Sequence, residues 1–275
     1  MQRRNFITLL GVTTAWPLLV KAQQKARTAV VSFLTLRSSV DSPVLVTALR
    51  QGLSETGYVE GQNLTIEYDW ADGHYDRLPL LAADLVAHKV DVIVTGGGNA
   101  PALAAKGATS TIPIVFETGV DPVEAHLVAS FARPGSNLTG ANILVAGLNP
   151  KRFELVLKLV PGANVIALLV NPNYLGVEAI VREVQEAANA VQLRILKAAT
   201  ENEIDAAFAT FIQLCPGALV IANDPLFSAR RDQLVSLASR HGVPAIYPFG
   251  EFATAGGLIR YGPRLATVYR PVRFR

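Results

Sequence analysis

The stretch that most constrains this chain runs from Val90 to Ala108. An apolar run, Val90-Asp91-Val92-Ile93-Val94-Thr95, leads into Gly96-Gly97-Gly98-Asn99, and Ala100-Pro101 opens an alanine-rich segment. A short run so rich in β-branched residues predicts a strand buried on both faces, as in a parallel sheet. The glycines permit left-handed backbone and the close approach of a ligand. Asn99 suits a helix N-cap, and Pro101 suits the first turn. The unit is strand, open loop, helix, with amide N–H groups at the carboxyl end of a strand, where open α/β sheets bind ligands. One such loop serves equally well as a bare connection. What gives it weight is that the chain repeats the construction.

Alternation and apolar spacing predict strands over 28–34, 63–70, 90–95 and 112–116, with helices over 43–53, 75–88 and 122–132 between and after them. After Gly140 the rhythm restarts. Helices are expected over 150–160, up to 190, over 203–214 and up to 240; strands over 165–170, 193–197, 218–222, 244–247 and 257–260. Strands alternating with helices define an α/β chain with parallel, doubly wound sheets, and 275 residues suffice for two such layers.

The net charge of +3 is a property of the ends. Arg3, Arg4 and Lys21 account for it, and Arg260, Arg264, Arg270, Arg273 and Arg275 crowd the last 16 residues without an acid. The body between is mildly acidic and carries no basic stripe, which argues against nucleic acid as a partner. The lone Cys215 excludes an internal disulfide and a cysteine zinc site, and is expected as a small buried residue beside a strand. Residues 1–22 combine paired arginines, a short apolar stretch interrupted by Pro17, and Val20-Lys21-Ala22 before an expected cut. That pattern predicts a secretory signal peptide and a periplasmic product, with the twin-arginine and general routes both open.

Three strands end in an Asx-Pro step: Asp121-Pro122, Asn171-Pro172 and Asp224-Pro225. Each alone is good capping chemistry. Together with the glycine loop they set polar groups at strand ends in both halves, which converge if the halves face each other across a cleft. Enzyme signals are poor. There is no Gly-x-Ser-x-Gly elbow, no phosphate loop and no dinucleotide fingerprint, and the four histidines are scattered. No cofactor and no metal are expected. Glu117 and Asp121 admit an acid-pair reading, but caps and solvated loops explain them more cheaply.

A further set of residues occurs in one order: Gly57-Tyr58-Val59-Glu60-Gly61-Gln62-Asn63, Arg77-Leu78-Pro79, Thr111-Ile112-Pro113-Ile114-Val115-Phe116, Asp121-Pro122-Val123 and Ala132-Arg133-Pro134-Gly135-Ser136-Asn137-Leu138-Thr139-Gly140. In this the chain resembles the ABC-transporter substrate-binding proteins related to the tryptophan- and tyrosine-binding lipoproteins. The resemblance implies a type I periplasmic-binding fold of two Rossmann-like lobes with the ligand in the cleft. Lobe 1 is then expected over 27–140 plus about 246–270, and lobe 2 over 141–245. A small organic ligand, an amino acid among the options, would pass from the cleft to a membrane permease. No cysteine follows the expected cut, so no lipid anchor is expected.

Within that cleft, Ser38 and Ser39 are expected to donate hydroxyls, and Gly97 and Asn99 to offer N–H and amide groups to a carboxylate. Thr118 and Asp121 would face it from lobe 1, Asp121 toward an ammonium. Tyr174, Asn223 and Asp224 would close from lobe 2, with Tyr174 as a stacking surface. The alternatives are a hydrolase or racemase using Asp121 and Asp224, and a purely sensory binding protein. After Pro263 the chain starts like the long helix of its relatives, but Pro271 interrupts it and the last residues depart from the family, so the C-terminus reads as truncated.

Overall fold

The computed structural model describes residues 28–143, 145–188 and 191–269. The expected signal peptide and the break at Pro271 lie outside the described residues. The chain folds as two five-stranded sheets, each all parallel. The first holds β1 (Ala29–Thr35), β2 (Leu64–Trp70), β3 (Val92–Gly96), β4 (Ile114–Thr118) and β5 (Leu138–Asn142), in the order β2-β1-β3-β4-β5. The second holds β6 (Val165–Val170), β7 (Gln192–Lys197), β8 (Ala218–Ile221), β9 (Ala245–Tyr247) and β10 (Ile259–Arg260), in the order β10-β9-β8-β6-β7. Numbered from its own start, the second sheet repeats the order of the first. Both are doubly wound, and both place a switch point beside their first strand.

The strands form where the apolar runs predict them because a parallel strand must bury both faces. Phe33, Leu34, Ile93 and Ile114 are fully buried in lobe 1, as are Ile166 to Leu169 and Val220 in lobe 2. The helices cover the sheets: α1 (Pro43–Ser54), α2 (Leu78–His88) and α3 (Asn99–Ala108) in lobe 1; α4 (Asn149–Leu159), α5 (Val177–Ala187), α6 (Glu201–Leu214), α7 (Pro225–Ala229), α8 (Arg231–Arg240) and α9 (Gly250–Thr254) in lobe 2. The short α10 (Ala266–Tyr269) returns to pack on α1.

Four expectations fail locally. Residues 122–132 form turns, not a helix. Ala125 and Leu127 donate to the carbonyls of Asp121 and Pro122, but His126 adopts φ 54° and breaks the spiral after one turn. The segment after that turn, where the sequence predicts no strand, is the edge strand β5, paired from Ile114↔Leu138 to Thr118↔Asn142. Cys215 is exposed, not buried, and caps α6 in the left-handed region at φ 46°. The chain also stays in the second sheet through Arg260, so its return to lobe 1 comes at Tyr261 to Leu265 and not near residue 246.

Two segments therefore cross between the lobes among the described residues: 145–148 outward and 261–265 back. Arg152 of α4 ties them together. It is fully buried and donates from Nε to the Tyr261 carbonyl at 2.8 Å, from Nη1 to Asn149 Oδ1 at 2.6 Å, and from Nη2 to the Val145 carbonyl at 3.4 Å. Burial pulls its guanidinium down to about 10. The same network runs on into lobe 2. Asn149 Nδ2 donates to Asn223 Oδ1 at 3.1 Å, and Asn223 Nδ2 donates to the Tyr174 hydroxyl at 3.1 Å.

Candidate functional site

The carboxyl ends of the two sheets meet across a narrow gap whose cavity volume is about 20 Å³, room for about one water. Arg37 follows β1, Gly98 follows β3, Glu117 lies at the end of β4 and Gly119 follows it. From lobe 2, Tyr174 follows β6, Asn223, Asp224 and Pro225 follow β8, and Phe249 follows β9. Ile143 follows β5, and the crossings add Val145 and Leu265. The lobes are closed on each other. A Cβ on Gly98 would lie 3.8 Å from the Tyr174 ring, and one on Gly119 would lie 2.7 Å from Val145 Cγ1 and 3.5 Å from the Tyr174 hydroxyl. Glycine at both positions lets the lobe 1 backbone come within contact of lobe 2.

Of the residues the sequence proposes, Tyr174, Asn223 and Asp224 line this gap, and six do not. Ser39 is exposed, and Ser38 spends its hydroxyl on Asp41. Thr118 bonds within its own turn, to Val120 N and O at 3.3 Å. Asp121 is a turn cap whose Oδ1 accepts from Val123 N at 2.7 Å and Glu124 N at 3.3 Å, and it does not line the gap. Asn99 is buried as the first residue of α3 rather than its cap, a place taken by Gly98. Gly97 adopts φ +80° as a glycine should, but its N–H donates at 3.3 Å to the Tyr269 hydroxyl. The glycine loop thus meets the protein's own groups.

Two lining residues were missed or set aside. Glu117 is 7% exposed and its Oε2 accepts from the Tyr269 hydroxyl at 2.9 Å. Burial pushes its carboxyl up, while that hydrogen bond, the Arg37 charge and the N–H groups of Gly97 and Gly98 pull the other way. A lone acid inside Ile114-Val115-Phe116-Glu117-Thr118 was the available signal. Arg37 stood unremarked in the polar loop after β1, and its Nε is buried without a partner.

Asp224 does double duty. Its Oδ1 caps α7 through Leu226 N at 2.8 Å and accepts from Asn171 Nδ2 at 3.1 Å, while Oδ2 is buried without a partner. Burial pushes the carboxyl up to about 6, against the pull of Asn171, the N–H groups of Leu226 and Phe227, and Arg37. A carboxyl held above its ordinary value binds more protons in the closed form than in an open, hydrated one. Closure of the empty protein is therefore favoured as pH falls through about 6 toward 4 and disfavoured above. Small-angle scattering should show a smaller radius of gyration near pH 4.5 than near pH 7.5, the closed-to-open ratio shifting by up to about a hundredfold from this group. Asp224→Asn should flatten the profile.

Two doubly wound parallel lobes closed over buried polar strand ends define the periplasmic binding protein class of fold. Within it, the chain belongs to the ABC transporter substrate binding protein family, whose profile matches residues 30–265. It is 26% identical over 198 residues to a tyrosine-binding protein of Clostridioides difficile, a match covering 71% of this chain and 56% of that one. The chain therefore spans little more than half the length of that relative. Its fold matches a structure from Streptococcus pneumoniae described as an ABC domain in complex with L-Trp, with TM-score 0.76, 21% identity and coverage of 89% and 82%. A conserved domain protein from Vibrio cholerae matches with TM-score 0.78, 24% identity and the same 89% and 82%.

Proposed function

We propose that this chain is the exported solute-binding component of an ABC-type uptake system, which closes its lobes on an amino acid and presents it to a membrane permease. One observation carries the reading: polar atoms of opposite charge, Arg37 Nε and Asp224 Oδ2, come from different lobes, line the same gap, and are buried without partners. Buried groups left unpaired are costly, and a small ligand with both charges would satisfy them. The named relatives, one tyrosine-binding and one in complex with L-Trp, support an amino acid. Closure is a hinge motion favoured by contacts to both lobes. The hydrolase or racemase reading needs Asp121 and Asp224 together, and Asp121 does not line the gap that Asp224 lines.

Isothermal titration against the common amino acids, with scattering on the same samples, tests the reading. Saturable binding without turnover, accompanied by compaction, supports it. Export through residues 1–22 is checked by the N-terminal sequence of mature protein: a start near Gln23 in the periplasm is expected, and intact Met1 in a cytoplasmic product would remove this part.

A further inference from the structure

We propose that the cleft recognises its ligand chiefly through a protonated amine, taken by Asp224 from lobe 2 and Glu117 from lobe 1, with Arg37 as the secondary partner for a carboxylate. This rests on the proposed function and deepens it.

Charged side chains crowd the gap. Two acids and one base line it, on three separate elements: the loop after β1, the end of β4 and the start of α7. All three side chains are more than nine-tenths buried. Asp224 Oδ2 has no partner. The remaining polar groups are already satisfied by one another. Asn223 uses its oxygen on Asn149 and its nitrogen on Tyr174, and the Tyr269 hydroxyl lies between Gly97 N and Glu117.

The glycine loop then takes on a different meaning. Free N–H groups at a strand end would attract an anion. Here the Gly97 amide donates to the Tyr269 hydroxyl, which in turn donates to the carboxylate of Glu117. The protein has filled its own anion site, so lobe 1 presents a carboxylate where a ligand carboxylate was expected. An anionic ligand would enter a buried space with one cation and two acids, and would leave Asp224 Oδ2 unpaired. An ammonium supplies the missing donors. A carboxylate on the same ligand adds the partner that Arg37 Nε lacks. Ile143, Val145, Phe249 and Leu265 leave the rest of the wall apolar.

The test is calorimetry on the purified protein with the common amino acids, followed by the decarboxylated amine and the deaminated acid of each one that binds. The amine is expected to bind within about tenfold of its parent, and the deaminated acid at least a hundredfold more weakly. Asp224→Asn keeps an oxygen for the α7 cap and should weaken both amino acid and amine at least thirtyfold, with the unfolding midpoint of the empty protein unchanged or raised. Arg37→Gln should weaken the amino acid and leave the amine unaffected. Tyr269→Phe, which frees the Gly97 amide, should improve the relative standing of the deaminated acid. If the deaminated acid binds as well as the parent, or amine and acid lose equally, the proposal is overturned while the solute-binding reading stands. If no amino acid and no amine binds, both fall.

Discussion

Replacing Arg152 by methionine is expected to cost about 3 kcal/mol of stability and to loosen the two lobes from each other. The methionine fills much of the volume, so the loss is polar. The Tyr261 carbonyl, Asn149 Oδ1 and the Val145 carbonyl each lose a charged donor inside the protein, and unsatisfied buried acceptors cost about 1–3 kcal/mol apiece. Relief of the buried guanidinium, which burial already pulls down to about 10, offsets part of that sum. Urea unfolding should show a lower midpoint with a similar slope if the change is one of stability alone. Scattering on the same protein should show a broader distribution of lobe separations. A midpoint within about 0.5 kcal/mol of the parent would mean that the buried network contributes nothing net.

The second large effect is expected at Gly262, on the return crossing. A Cβ there would lie 2.0 Å from the Pro248 carbonyl oxygen and 3.2 Å from Arg152 Nη2. The first of these is backbone and has no side-chain freedom with which to yield. Gly262→Ala must displace the crossing, pulling the Tyr261 carbonyl away from Arg152 and shifting the path toward Tyr269. A loss of about 2–4 kcal/mol is expected, with weaker ligand binding because Tyr269 holds Glu117. Gly147→Ala is the control. It lies on the outward crossing with nothing within 4 Å of the added methyl, and its unfolding midpoint should barely move.

The sheets were legible because a strand buried on both faces has to be apolar throughout, and few other local structures produce such runs at regular spacing. The edge strand β5 was not, since Thr139, Gly140 and Ala141 are exposed and carry no apolar signature. The helix expected after Asp121-Pro122 failed for a related reason. The sequence showed a good start, but not the left-handed His126 that ends it. At the site, Asp121 and Asp224 look alike in sequence: an acid before a proline after a strand. Both do cap, and what separates them is the buried, unpaired second oxygen of Asp224, a property of tertiary packing. Arg37 was hidden by its neighbours, because an arginine among serines reads as a solvated loop until lobe 2 closes over it.

The hydrogen-bond chain from Tyr174 through Asn223 and Asn149 to Arg152 makes the two halves of the site unequal in how freely they can change. On the lobe 2 side, a substitution at Tyr174 or Asn223 breaks a strut that also holds the crossings, so a new ligand preference there comes with a mechanical defect. On the lobe 1 side, Arg37, Gly98 and Glu117 stand on loop and strand ends outside that chain. Divergence toward new ligands is therefore expected to run through lobe 1, with lobe 2 retained as the common mechanical half. Directed evolution for an altered ligand, with both lobes randomised equally, should recover its viable variants chiefly at positions 37 and 117.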